Sequence, residues 1–224
     1  MGRTLSSLQG AGCNAAPRQS TEAAVKPLHI CIDGHNLAMP QGTGVATYAR
    51  NLANTLHDMG HHVSVLFGAP LGRDTPDLLK EVCFYDYLAS GSKPLPFLPD
   101  LKRYLRDALR APRGISAYPV PDTAYVEKRV FRSRMPRRAD VLNADNLYVM
   151  ARQYFARHGR FVQVRLPAHV QAMHWTYPLP IEAAGIPNYY TIHDLIPLKL
   201  PYPNVYARGS HFRLIRQRPE GRRV

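Results

Sequence analysis

Apolar and polar positions change period sharply between residues 28 and 67. Leu28-His29-Ile30-Cys31-Ile32-Asp33 is a mainly apolar run closed by Gly34, which predicts a buried strand. After a loop over residues 34–42 that contains Pro40, Val45, Tyr48, Ala49, Leu52, Ala53, Leu56 and Met59 recur at helical spacing. They predict one amphipathic face, and Gly60 stands where a left-handed residue ends a helix cheaply. His62-Val63-Ser64-Val65-Leu66-Phe67 reads as the next strand. Strand, glycine loop, helix and strand in this order form a βαβ unit, so a parallel sheet is expected.

Further along, residues 82–87 predict a strand, and Leu101, Tyr104, Leu105, Ala108 and Leu109 a short amphipathic helix. Residues 111–138 are rich in Pro and Arg and are left irregular. Val141-Leu142-Asn143 predicts a short strand. Leu147, Met150, Ala151, Tyr154 and Phe155 predict a helix capped by Asp145 or Asn146. Residues 161–166 form another expected strand. Two more apolar segments run into histidines, at Ala172-Met173-His174-Trp175 and Tyr189-Tyr190-Thr191-Ile192-His193-Asp194. Pro178, Pro180 and Pro197 follow them, and proline lacks the N–H a strand ladder needs. The pattern predicts an α/β fold, a Rossmann-like, mainly parallel sheet flanked by helices. Both histidines are expected at its C-terminal edge, where ligands bind in such sheets.

The composition narrows the partners. The chain of 224 residues carries a net charge of +13, with eleven basic residues from Lys102 to Arg138 and seven from Lys199 onward. Such patches attract anions in general, and leave room for peripheral contact with the inner face of a membrane. Nucleic acid is not the expected partner. No apolar run approaches the ~18–20 residues of a membrane span. Cys13, Cys31 and Cys83 are far apart and form no disulfide framework, which suits the cytoplasm, and Cys31 reads as a buried hydrophobe. Residues 1–27 read as a flexible leader, residues 28–205 as the domain, and residues 206–224 as a partial helix with a basic tail.

Several residues could carry chemistry. In Gly42-Thr43-Gly44-Val45, small side chains and free amides at a helix start suit a diphosphate. The spacing matches neither GxGxxG nor GxxxxGK[ST], and a glycine turn before a helix is often structural alone. His174 and His193 are candidate site histidines, each with a plain reading as a satisfied core or loop side chain. Asp194 could orient His193 or cap a turn. Trp175 and Tyr177 could stack on a sugar ring, although core packing is the commoner fate of aromatics.

The same residues carry a resemblance. Gly42-Thr43-Gly44-Val45-Ala46-Thr47-Tyr48-Ala49-Arg50-Asn51-Leu52 resembles the first loop and helix of family-4 retaining glycosyltransferases of the GT-B fold. His174-Trp175-Thr176-Tyr177-Pro178 and Tyr190-Thr191-Ile192-His193-Asp194-Leu195-Ile196-Pro197 are similar to two downstream signatures of a bacterial branch that includes mannosyltransferases. The resemblance spans about residues 28–202, the N-terminal half of a GT-B fold. It implies a hexosyltransferase that moves a sugar, mannose among the candidates, with retention. The donor is a nucleotide diphosphate sugar, the acceptor a glycan or lipid-linked molecule, and no metal or other cofactor is needed. By the resemblance Gly42, Thr43 and Gly44 approach the donor diphosphate, His174 is the catalytic-site histidine, and His193 and Asp194 line the acceptor side. It also implies a second, nucleotide-binding domain with a Glu-x7-Glu signature. The sequence ends before such a domain, so an incomplete form of the enzyme is expected.

Two other classes compete. Ile32-Asp33-Gly34-His35-Asn36-Leu37 resembles the opening strand of PIN-like nucleases of the NYN type, whose first aspartate helps hold a divalent metal. Asp140, Asp145 and Asp194 are the candidates for the further carboxylates that reading needs. The third class is a noncatalytic binding domain.

Overall fold

The computed structural model describes residues 26–39, 44–72, 74–90, 101–123, 126, 128, 131, 134–137 and 139–193. The expected leader up to residue 25, Pro40, Gly42, Thr43, Asp194, Pro197 and the tail lie outside the described residues.

The fold is α/β and Rossmann-like. Its elements in order are β1 (His29–Asp33), α1 (Gly44–Asp58), β2 (His62–Phe67), α2 (Asp77–Ser90), α3 (Leu101–Arg110), β3 (Ile115–Ser116), β4 (Tyr118–Pro119), β5 (Asp140–Asn143), α4 (Leu147–His158), β6 (Val162–Arg165), β7 (Ala172–Trp175), β8 (Ile181–Ala183) and β9 (Asn188–Tyr190). A six-stranded sheet has the order β4-β5-β2-β1-β7-β9, and only the β4–β5 pair is antiparallel. A smaller parallel sheet, β3-β6-β8, stands beside it.

Alternation along the strands divides the core. Cys31, Leu66, Leu142, Met173 and Trp175 point to one face, where they pack with α4 and the smaller sheet through Leu147, Met150, Ala151, Val162, Val164 and Ile181. Val65 and Phe67 point to the other, against Ala46 and Ala49 of α1 and Phe84 and Leu88 of α2. Ile32 and Val63 join that second face beside Ala53. Burial pushes the Cys31 thiol well above its ordinary range.

The helix expected after the first loop is α1, and Gly60 ends it at φ +88°, with the His61 N–H donating back to Leu56 O at 3.0 Å. Met59 falls past the last turn and is 64% exposed, so the apolar stripe stops at Leu56. Residues 82–87 are helical rather than a strand. Their composition favours β structure, but Glu81, Phe84 and Leu88 are buried at spacings of three and four, and the Phe84 ring meets Phe67 edge-on at 5.1 Å. Tertiary packing on a helical period overrides local preference here. The expected strand over 161–166 exists as β6, but in the smaller sheet. Asn146 takes the cap position of α4 at φ 54°, yet its Nδ2 donates to Asp107 Oδ2 at 2.6 Å instead of its oxygen capping the helix. Residues 111–119, for which irregular structure is expected, contain a 3-10 turn and the short strands β3 and β4. No described helix is long and apolar enough to cross a membrane.

One buried amide ties β7, β8 and β9 together. Asn188 Oδ1 accepts from Trp175 Nε1 at 2.9 Å and from Ala183 N at 2.8 Å, while its Nδ2 donates to Ala183 O and Ile186 O, both at 2.9 Å. Asn188→Ala orphans an indole N–H and a backbone N–H in the core, and should cost about 3 kcal/mol in a urea unfolding series. A loss below about 1 kcal/mol would mean that water replaces the amide without penalty.

Candidate functional site

The order of the large sheet locates a crevice. From β1 the chain moves outward through β2 to β5, then returns to place β7 and β9 on the other side of β1. The switch lies between β1 and β7, and their C-terminal ends open the crevice where ligands bind in open α/β sheets.

Strand parity aims His174 into it. Ile32 pairs with His174 across β1 and β7, and Cys31 with Met173. Met173 and Trp175 enter the core on the α4 side, so His174 points to the face that α1 covers. There the Tyr48 hydroxyl lies 3.4 Å from His174 Nε2 and 3.1 Å from Thr191 Oγ1, and Thr191 Oγ1 lies 2.9 Å from the same nitrogen. The His193 ring meets Tyr48 edge-on at 4.9 Å. Burial, and then the neighbouring His193, lower the His174 pKa, so its imidazole is uncharged at neutral pH. His193 stands three residues past the end of β9, in the loop rather than on the strand, and its Nε2 donates to Thr176 O at 2.7 Å.

Beneath these side chains lies a buried carboxylate. Asp33 ends β1 with no exposure, and its Oδ2 accepts from both the backbone N–H and the hydroxyl of Thr176, the latter at 2.7 Å. Its Oδ1 accepts from His35 N at 3.3 Å. Burial pushes the Asp33 pKa up to about 6 against the opposing pull of the Thr176 bonds. His35 packs edge-on against Tyr148 at 4.9 Å with its Nδ1 unbonded, and burial, reinforced by Arg152, lowers its pKa to about 4. Gly34 is obligatory between them: a Cβ there would stand 2.8 Å from the Phe67 ring and 2.9 Å from Leu66 O.

The expected site residues are distributed as follows. His174 and His193 share the crevice with Tyr48, one helical turn after Gly44, about 6 Å along the axis. Gly44 opens α1, where amides lack intrahelical partners, and a Cβ on it would meet nothing within 4 Å. Gly42, Thr43 and Asp194 lie outside the described residues. Trp175 does not line the crevice: it is wholly buried, bonded to Asn188 and stacked near Tyr190 at 6.1 Å, because odd parity on β7 turns it inward. Tyr177 is 38% exposed just past β7. Sequence patterns assigned Tyr48 to an apolar stripe and gave Thr176 and Thr191 no role. Only Tyr48's place one turn after Gly44 could have signalled its part.

Among the described residues, the candidate carboxylates Asp140 and Asp145 do not gather around Asp33. Asp140 begins β5, at the opposite edge of the sheet. Asp145 is held by Arg106 at 3.2 Å and Arg110 at 3.0 Å. Among the described residues no group of three or more His, Cys, Asp and Glu side chains is placed to hold a metal ion. Comparisons with family models, curated proteins and solved structures find no match to this chain.

Asp33 and His35 make opposite contributions to acid stability. His35 binds its proton less readily folded than unfolded, so its contribution is present above about pH 6.5 and is lost as pH falls toward 4. Asp33 binds its proton more readily folded, so stability rises as pH falls from about 6 toward 3.8. The two nearly cancel between pH 4 and 6. Asp33→Asn should unmask the histidine term, steepening acid loss of stability by about 1.4 kcal/mol per pH unit in that window. Parallel urea series at pH 6.5, 5.5 and 4.5 measure this, and equal slopes in both proteins would refute it.

Proposed function

We propose that this domain forms the acceptor side and the diphosphate cradle of a retaining glycosyltransferase that uses a nucleotide diphosphate sugar. One observation carries the reading. The first of the three segments that resemble family-4 enzymes lies far in sequence from the other two, yet each sends a side chain to the same point: Tyr48 from the first, His174 from the second, Thr191 and His193 from the third.

The chemistry follows from that grouping. The diphosphate meets the backbone amides that open α1 at Gly44, where the helix dipole favours the charge that grows on a leaving diphosphate, and by the resemblance Gly42 and Thr43 are its further partners. His174, uncharged and hydrogen-bonded through Nε2, offers a fixed imidazole to hydroxyls of the transferred sugar without competing for the phosphate. Tyr48 and Thr191 set its orientation. His193, with Asp194, faces the acceptor, and Tyr177, 38% exposed, is the aromatic proposed to stack on a sugar ring. The nucleoside is bound by a second domain, whose closure over this one excludes water and aligns donor with acceptor. The acceptor is a glycan or lipid-linked molecule, and no metal takes part.

Titration of the 224-residue chain with inorganic diphosphate, then with UDP- and GDP-sugars, tests the reading by NMR of the histidine rings. Sugar nucleotides should bind with Kd on the order of 1 mM, about 4 kcal/mol, and shift His174. Diphosphate alone should bind without moving it. His29, His62 and His169, whose rings gather at the opposite edge of the sheet, serve as stationary controls. Gly44→Val fills open space, so it should leave the fold intact while weakening both ligands at least about tenfold, 1.4 kcal/mol. Equal shifts at His174 and the control histidines, or unchanged affinity in Gly44→Val, would overturn the proposal.

A further inference from the structure

The geometry points to Asp33 and Thr176 as a positioning pair that fixes the ring of His193 in the crevice. The connection has two halves on one residue. Asp33 Oδ2 takes both the N–H and the O–H of Thr176, and the carbonyl of Thr176 takes Nε2–H of His193 at 2.7 Å. Thr176 follows directly on β7, is wholly buried and has no freedom to reorient while Asp33 holds it at two points. A carbonyl can only accept, so the bond to Thr176 O requires the proton on Nε2. When the ring is uncharged, Nδ1 is therefore the nitrogen with the free lone pair.

That assignment matters for a surface histidine. His193 is exposed and follows a strand of only three residues, so its ring orientation is set by contacts from other elements among the described residues. Tyr48 limits the ring from one side by an edge-on contact, and Thr176 fixes its far nitrogen. Within the proposed function, on which this part of the inference rests, Nδ1 accepts the hydrogen bond of the acceptor hydroxyl. Asp33 touches no ligand and acts only through Thr176.

The pair is sensitive to protonation. Asp33 is faced by Cys31 on its own strand, the His35 amide in the following turn, Tyr148 on α4, Thr176 after β7 and His193 after β9. His193 in turn is faced by Tyr48 and His174. Below pH of about 6 the carboxyl gains a proton and Thr176 loses its anionic acceptor, which loosens the carbonyl that holds His193.

NMR of the full chain tests the pair without any sugar nucleotide. In the wild type the Thr176 amide proton should titrate with a midpoint near pH 6, and the His193 Nε2–H should be protected from solvent exchange at pH 7.5. Asp33→Asn should abolish the amide titration and speed exchange of the ring proton by about tenfold, the loss expected for one hydrogen bond. Thr176→Val, which removes the hydroxyl alone, should give a smaller acceleration and serves if Asp33→Asn does not fold. In His193→Gln the Thr176 titration should persist, because the carboxylate lies upstream of the ring. A protected His193 ring proton in folded Asp33→Asn or Thr176→Val, or a Thr176 amide that stays flat from pH 5 to 7, would overturn the inference. Intact coupling in a protein that ignores sugar nucleotides would count against the proposed function alone.

Discussion

Everything at the crevice depends on one carboxylate buried at the end of β1. Asp33 has no exposure, and an anion in that position costs several kcal/mol unless donors surround it. The donors come from Thr176 and from the amide of His35. Thr176 lies far along the chain, so satisfying Asp33 brings the end of β7 beside β1 and closes the switch point. Where Gly34 turns the chain away from Asp33, its amide donates to Leu66 O, and close packing on Phe67 leaves no room for any side chain. The bonds that close the switch point thus also set the geometry of the crevice.

Parity then sorts the aromatic and imidazole groups around that point. Once Ile32 stands opposite His174, the neighbours Met173 and Trp175 must enter the core and His174 must face α1. A slip of one residue would bury the histidine and expose the indole. Asn188 resists such a slip, because the Trp175 N–H finds its partner only in the inward position. The adjacent residues of His174-Trp175 therefore have separate duties, one polar and half-buried, the other an anchor.

The legible part of the sequence was the part with strong periodicity. The first βαβ unit, the helix from Leu147 and the parallel sheet follow from spacing alone, because burial of one face leaves a repeating record. Residues 82–87 misled because their β-favouring side chains sit on a helix whose burial is set by Phe67, a residue distant in sequence. The site was half legible. Histidines at the ends of apolar runs are visible as an abrupt change of polarity, whereas Thr176 and Thr191 matter only through partners that the fold supplies. A threonine bonded to a distant carboxylate and one on a turn surface read alike in a single sequence. Trp175 shows the converse: an aromatic beside a site histidine invites a binding role that strand alternation denies it.

The placement of charge says what sort of recognition the crevice can perform. The chain is strongly basic, yet Arg106 and Arg110 of α3 are engaged with Asp145, and Arg134 donates to the carbonyls of Leu37, Ala38 and Leu88. Among the described residues, the groups that meet at the crevice are the hydroxyls of Tyr48 and Thr191 and two imidazoles, of which burial holds His174 uncharged. In the proposed function such a set would discriminate by the geometry of hydroxyl groups and hold the diphosphate through oriented dipoles rather than ion pairs. A leaving group that gains negative charge during reaction is better served by fixed amides than by a mobile side chain, because no reorganisation is needed as the charge develops. The buried Asp33 fits the same logic. It contributes no charge to the ligand directly, but by occupying the donors of Thr176 it holds the polar groups of the crevice in place before any ligand arrives.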